Sequence, residues 1–287
     1  MIGLRAFTHA LKCSAVRSKP YAQKVPHWVS IHSIQTRAQQ TDIARSNSST
    51  SNQDQSSAHP KGAQLANDSI SIGDSNNRIT KGRIAFPDGA VYTGELLNGE
   101  IHGFGVHVAA NGSRYEGDYV HGLQHGLGKL TFPHGGTYTG QFENSKKHGR
   151  GTQVSPSGLV YEGDWVDDVR SGKGKLTFSN GDVYEGDFVR GAMHGNGVTT
   201  FRKGKYEGQY AHDKKHGTGK LTFANGDYYM GDFVQNKMHG FGKKVNSSGV
   251  YLGEMRDDQP NGVGQLVAPD GSIQEGLFQD GRFVKSL

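Results

Sequence analysis

A chain of 287 residues with 33% hydrophobic content and a formal net charge of +5 can hold one large domain or two small ones. Nothing in it approaches the roughly 18 consecutive apolar residues that a membrane-spanning helix needs. The charge lies at the front: residues 1 to 45 carry seven Lys or Arg against one acid, a balance of +6, which leaves the remainder at −1 and argues against a nucleic-acid-binding body. Cys13 is the only cysteine, so an intramolecular disulfide, a cysteine-based zinc site and a thiol nucleophile in the body are all excluded.

Residues 1–41 contain Arg5, Lys12, Arg17, Lys19, Lys24 and Arg37 and no acid. At 100° per residue Leu4, Phe7, Leu11 and Ala15 share one helical face, and Arg5, His9 and Lys12 share another. This basic, acid-free amphipathic pattern predicts an organellar transit peptide, mitochondrial in type; a secretory signal would need an unbroken apolar core that Arg5, His9 and Lys12 interrupt. The alternative is a cytoplasmic or membrane-peripheral protein with a basic tail. Residues 42–78 are rich in Ser, Asn and Gln and predict a disordered linker, since they hold too little apolar surface to offset ordering entropy.

From residue 79 onward the sequence repeats. Tyr92, Tyr115, Tyr138, Tyr161, Tyr184, Tyr206, Tyr229 and Tyr251 recur every 22 or 23 residues, with Gln274 in the ninth place. Two residues after each tyrosine stands a glycine: Gly94, Gly117, Gly140, Gly163, Gly186, Gly208, Gly231 and Gly253. A Gly-x-Gly follows in every copy, as in Gly195/Gly197. Within a copy, Tyr115, Gly117 and Tyr119 alternate with charges, and Gly126, Gly128, Leu130 and Phe132 alternate with Lys129 and Thr131, the period of two that marks β-strands. Each copy therefore reads as a β-hairpin. Asp88-Gly89, Asn111-Gly112, Asn180-Gly181, Asn225-Gly226 and Asp270-Gly271 supply turn residues ahead of the next strand. The expected fold is all-β, a meander of stacked hairpins. Its strand glycines, costly by roughly 0.5–1 kcal/mol each, make room for rings from adjacent strands.

Tyr-x-Gly, then His-Gly-x-Gly, at a 23-residue period resembles the MORN (membrane occupation and recognition nexus) repeat. The resemblance covers residues 92 to 276, with a half-copy at 82–91 and an atypical final piece at 274–287. Departures are Ser171 and Asn261 where the pattern favours His, and one-residue shortenings before Tyr206 and Tyr251. The resemblance implies an elongated twisted sheet and a non-catalytic role in protein assembly or peripheral membrane attachment.

Several residues invite a chemical reading. His102, His125, His148, His194, His216 and His239 occupy one motif position, but equivalent residues of neighbouring hairpins stand about 9–10 Å apart, too far to share a zinc ion. They are expected to hydrogen-bond the backbone of their own hairpins. Acid pairs such as Glu116/Asp118, Glu162/Asp164 and Glu185/Asp187 tile one face and do not converge on one pocket, which argues against general acid–base catalysis. The Gly-x-Gly pairs precede no helix and lack the lysine of a phosphate-binding loop. Neither an enzyme nor a cofactor is expected. Lys146-Lys147 and Lys214-Lys215, placed at hairpin loops, are the candidate lipid contacts, yet they lie three repeats apart. The sequence thus predicts an adaptor or scaffold that binds an unidentified protein partner through an apolar, aromatic face. The alternative is attachment to anionic phospholipid.

Overall fold

The computed structural model describes residues 64–67 and 77–287; the basic leader and most of the segment read as a linker lie outside the described residues. Twenty strands follow one another: β1 (Gln64–Asn67), β2 (Ile79–Ala85), β3 (Val91–Leu97), β4 (Glu100–Val108), β5 (Arg114–Val120), β6 (Leu123–Thr131), β7 (Thr137–Glu143), β8 (Lys146–Val154), β9 (Val160–Val166), β10 (Val169–Thr177), β11 (Val183–Val189), β12 (Ala192–Phe201), β13 (Gly204–Ala211), β14 (Lys214–Phe223), β15 (Tyr228–Val234), β16 (Lys237–Asn246), β17 (Gly249–Arg256), β18 (Gln259–Val267), β19 (Ile273–Gln279) and β20 (Arg282–Ser286). Each pairs antiparallel with the next, so a single open sheet is laid down in chain order without a crossover. β1 falls inside the segment expected to be linker. There the unpaired edge of β2 offers backbone donors and acceptors, and residues 64–67 take them up.

Two kinds of turn alternate. The outer turns join one repeat to the next and match the expected positions: Gly89, Gly112, Gly181, Gly226 and Gly271 hold φ of 84–92°. In the turn after β10, Gly181 N donates to Phe178 O and Asp182 N to Asn180 Oδ1. The inner turns, within each hairpin, carry an Asn-Gly or Asp-Gly signal only at Asn98-Gly99 and Asp280-Gly281 among the described residues. They are two-residue loops with both residues at positive φ, such as Arg190-Gly191 (51° and 84°), His212-Asp213 (50° and 65°) and Gln235-Asn236 (49° and 74°). That is the turn whose twist suits a hairpin, and Asp and Asn tolerate it better than most residues.

The second inner-turn residue also clamps the preceding repeat. Asp213 N donates to Met193 O (3.1 Å) while Met193 N donates to Asp213 Oδ1 (2.8 Å), and the same reciprocal pair joins Asp168 to Lys147, Asn236 to Lys215 and Asp258 to Met238.

The glycines align into one column. β2 to β19 each contribute one glycine, paired directly across every ladder, as in Gly174↔Gly186↔Gly197↔Gly208↔Gly219. The column makes a trough that the repeat tyrosines fill. A Cβ on Gly197 would stand 2.7 Å from Tyr184 Cζ, and one on Gly186 2.6 Å from Gly197 Cα. The expected aromatic-over-glycine packing holds at Gly197 and its equivalents. At Gly195 it does not.

Gly195 sits at a β-bulge, where the register slips between Gly186 and Asp187, and its φ of 60° is what the extra residue requires. The bulge leaves a backbone N–H exposed, and the side chain three residues after the tyrosine accepts it. Asp187 Oδ2 takes Asn196 N at 3.0 Å; Glu95, Asp118, Gln141, Asp164, Gln209 and Asp232 do the same in their hairpins. Since glutamine serves as well as aspartate, the role needs a carbonyl oxygen and not a charge. Partial burial raises the Asp187 carboxyl, but hydrogen bonds from Lys173 Nζ and Asn196 N outweigh it and hold the group below its ordinary value. Asp187→Asn should therefore leave chemical-denaturation stability within about 0.5 kcal/mol of the parent, whereas Asp187→Ala should cost about 1–2 kcal/mol. Equal losses would show that the charge, not the acceptor, is used.

A second ladder stands four residues after each tyrosine: Leu96, Tyr119, Phe142, Trp165, Phe188, Tyr210, Phe233, Met255 and Phe278, all at most 5% exposed. Tyr115, Tyr138, Tyr161, Tyr184 and Tyr206 are each wedged edge-to-face between their own ladder ring and the next repeat's, and with Tyr92 and Tyr229 at the ends they make an unbroken run with centroids 4.9–5.3 Å apart. This geometry contributes about 0.5–1.5 kcal/mol per contact beyond area burial. The run stops at Met255 and resumes from Tyr251 through Phe278 to Phe283. Gln274 breaks the tyrosine series, yet β19 and β20 still form a ninth hairpin.

Each tyrosine hydroxyl donates to the main-chain carbonyl three residues on, at 2.7–3.1 Å. Burial pushes the hydroxyls of Tyr161 and Tyr251 up to about 12 and raises the other repeat tyrosines too. A neutral form favoured in the fold contributes stability that is whole below the ordinary tyrosine value of about 10 and lost as pH rises through the folded values. Alkaline titration should thus show the loss of β-sheet circular dichroism and the rise of tyrosinate absorbance together, above pH ~10. Tyrosinate appearing with the sheet intact would contradict this.

Candidate interaction surface

The tyrosine face seals itself. Tyr92, Tyr138, Tyr184, Tyr206 and Tyr229 are 0% exposed, so no partner touches the rings that the sequence reading offered as its binding face. Ile101, Lys147, Arg170, Met193, Lys215 and Met238, at one position of the long strands, pack against this cluster, with Leu130, Phe132, Phe178 and Phe201 further along; Gln124 and Pro260 hold the same register position in their repeats, so its identity varies. The frame is constant and its cover is not.

The paired lysines correct another expectation. Lys146-Lys147 and Lys214-Lys215 do not form loops; they are the first residues of β8 and β14, and neighbours on a strand point to opposite faces. Lys146 is exposed and pairs with Asp167 at 3.5 Å, and Lys214 is exposed as well. Lys147 instead lies half-buried, its Nζ 4.3 Å from the centroid of Trp165 and 3.3 Å from Gln153 Oε1. Lys215 lies over Phe201 and Tyr206 at 5.6 and 5.2 Å. Burial lowers the ammonium groups of both below the ordinary lysine value, offset in part by Asp168 at Lys147 and Asp258 at Lys215. Arg170 rests over Tyr161 and Phe188 at 5.5 and 5.7 Å. Neither lysine pair presents two charges to one surface.

The opposite face mixes ion pairs with exposed apolar side chains, among them Phe104, Leu127, Met230, Phe241 and Val263. Arg150 reaches Asp164 of the next repeat (3.2 Å), Lys173 reaches Asp187, and Lys175 reaches Glu185 (3.5 Å). Such exposed pairs contribute little to stability but keep the face soluble. Each acid pair is thereby divided between two tasks: Asp187 holds the bulge while Glu185 faces solvent. Of the motif histidines, His102, His125, His194 and His239 offer their main-chain carbonyls to the tyrosine hydroxyl at 3.3–3.5 Å, a bond that does not use the imidazole expected to bond the backbone and that Ser171 supplies equally well. His102 pairs edge-to-face with His121, and His194 with His212. Among the described residues no three His, Cys, Asp or Glu side chains are grouped to hold a metal ion, and no helix is long and apolar enough to cross a membrane.

The MORN repeat model matches eight consecutive units, 92–114, 115–137, 138–160, 161–183, 184–205, 206–228, 229–250 and 251–273. The chain belongs to the MORN-repeat family. Its boundaries start each unit on the buried tyrosine, so one MORN repeat is one hairpin plus the outer turn. Repeats of this family are commonly protein- or membrane-interaction modules. The search of curated proteins returned no match. Among solved structures, a streptogramin B lyase structure aligns at 11% identity over 77% of this chain and 90% of that one; its TM-score of 0.14 carries no argument.

Proposed function

We propose that this MORN array is a non-catalytic adaptor or scaffold that engages a protein partner through its tyrosine-bearing face, without cofactor or nucleic acid. The observation that carries the reading is the division of labour within each repeat: tyrosine and glycine recur unchanged, while the residue at the covering position runs from isoleucine through glutamine, lysine and arginine to methionine. A binding surface individual to this protein needs that variation on a rigid frame. Attachment to anionic lipid is the weaker reading, because the lysines that would serve it are ion-paired, folded onto rings or isolated. A photo-crosslinking residue at Met193, on the tyrosine face, should capture a discrete protein in cells, and one at Glu185, on the opposite face, should not. Equal capture at both positions, or flotation with phosphatidylserine vesicles in physiological salt, would overturn the reading. The leader further supports a mitochondrial location; residues 1–45 fused to a fluorescent protein should enter mitochondria, and a diffuse cytosolic signal would refute it.

A further inference from the structure

The cations of the two faces differ in their company. On the opposite face Arg114, Arg150, Lys173, Lys175 and Lys205 each have a carboxylate partner, and Lys129 and Lys220, which among the described residues have none within ion-pairing distance, stand exposed to water. On the tyrosine face, among the described residues, no carboxylate stands within ion-pairing distance of Lys147 or Arg170, which occupy the same position in adjacent repeats. Both are half-buried against rings; burial lowers the affinity of Lys147 for its proton, and repulsion from Arg170 adds to this against the larger opposing pull of Asp168. The one neighbouring acid, Asp168, spends an oxygen on the backbone N–H of Lys147. Among the described residues, Gln153 Oε1 is the side-chain acceptor on Lys147, and the Arg170 fork lies over the faces of Tyr161 and Phe188. Between them opens a hollow of about 320 Å³, lined by Lys147, Gln153, Leu159, Trp165, Asp168 and Arg170. Asp168 offsets one of the two charges, so the hollow keeps a net positive charge partly out of water, and an anion entering here balances it.

We propose that the Lys147–Arg170 hollow is a subsite for a carboxylate side chain of an extended acidic peptide segment in the protein partner. The inference rests on the proposed adaptor role and names the partner's chemistry at one place on that face. Size and depth favour a peptide: the hollow admits one acidic side chain while flanking residues of the segment lie along the covering residues of neighbouring repeats. A flat bilayer would instead need cations that project, and these are folded down onto rings. The chain's own leader is excluded as occupant by like charge.

The test uses the full chain and a short fluorescein-labelled peptide alternating glutamate with valine, followed by anisotropy. Lys147→Gln combined with Arg170→Gln should weaken binding about tenfold or more. Lys146→Gln combined with Lys173→Gln, which removes the same charge from paired positions elsewhere, should change it less than about twofold. Lys147→Arg with Arg170→Lys should retain binding, which separates lost charge from a disturbed fold, and Trp165 emission checks that the rings stay packed. The subsite is refuted if both charge-removing doubles lose affinity equally, if the matching glutamine–valine peptide binds as well, or if phosphatidylserine vesicles, and not the peptide, depend on Lys147 and Arg170. Retained, charge-independent peptide binding would refute the subsite while leaving the adaptor reading intact; crosslinking failure at Met193 would sink the adaptor reading itself.

Discussion

Gly197→Ala is expected to cost about 3 kcal/mol, although alanine ordinarily strengthens a strand relative to glycine by roughly 0.5–1 kcal/mol. The added methyl would stand 2.7 Å from Tyr184 Cζ, and that ring has nowhere to go. It is fixed edge-to-face against Phe188 and Tyr210 at 5.3 and 5.0 Å, and its hydroxyl is tied to Asp187 O at 2.8 Å. Steric overlap therefore outweighs the gain in backbone entropy. Gly181→Ala is the comparison. Nothing lies within 4 Å of a Cβ there, and only the φ of 89° is strained, so the loss should be about 1 kcal/mol. Urea denaturation of both variants decides the matter: similar losses would mean that the glycine column is not a bed for rings.

Phe188→Ala should be costlier still, about 3–5 kcal/mol, because a buried ring and two edge-to-face contacts, to Tyr161 and Tyr184, vanish together. Its reach along the array should be short. Every strand pairs only with its chain neighbours, so stability is close to a sum of repeats and their interfaces. Hydrogen exchange is expected to accelerate in β9 to β12 while β3 to β6 and β17 to β18 keep their protection. Uniform acceleration would indicate that the whole sheet unfolds as one unit.

The hairpin repeat was legible because tyrosine and glycine recur at a fixed period that alternation alone turns into strands. Tyr115, Gly117 and Tyr119 read as one face and are one face. The bulge was not legible. Strict alternation treats Gly195 and Gly197 as equivalent, and only the register slip after Gly186 reveals that one bends the backbone while the other admits a ring. Most inner turns were hidden too, since pairs such as Gln235-Asn236 and His212-Asp213 adopt positive φ without the signature that Asn98-Gly99 and Asp280-Gly281 carry. Missing those turns placed Lys146-Lys147 in a loop and concealed the alternation that sends Lys147 onto Trp165. Arg170 was passed over altogether, because a lone arginine becomes notable only when the ladder sets it beside Lys147.

The spacing within the glycine column also dictates where this protein tolerates added length. From a short strand to its long partner the interval is always eleven residues, Gly94 to Gly105 through Gly253 to Gly264. From a long strand to the next short one it is twelve, or eleven ahead of Tyr206 and Tyr251, where the outer turn is two residues long. One edge of the sheet is thus a fixed gauge and the other is adjustable. An epitope or reporter peptide grafted between Phe178 and Asp182 extends a turn that already varies in size among the repeats. The same graft between Val189 and Ala192 separates the residue that clamps one hairpin to the next, so affinity handles and tethers belong on the outer-turn edge.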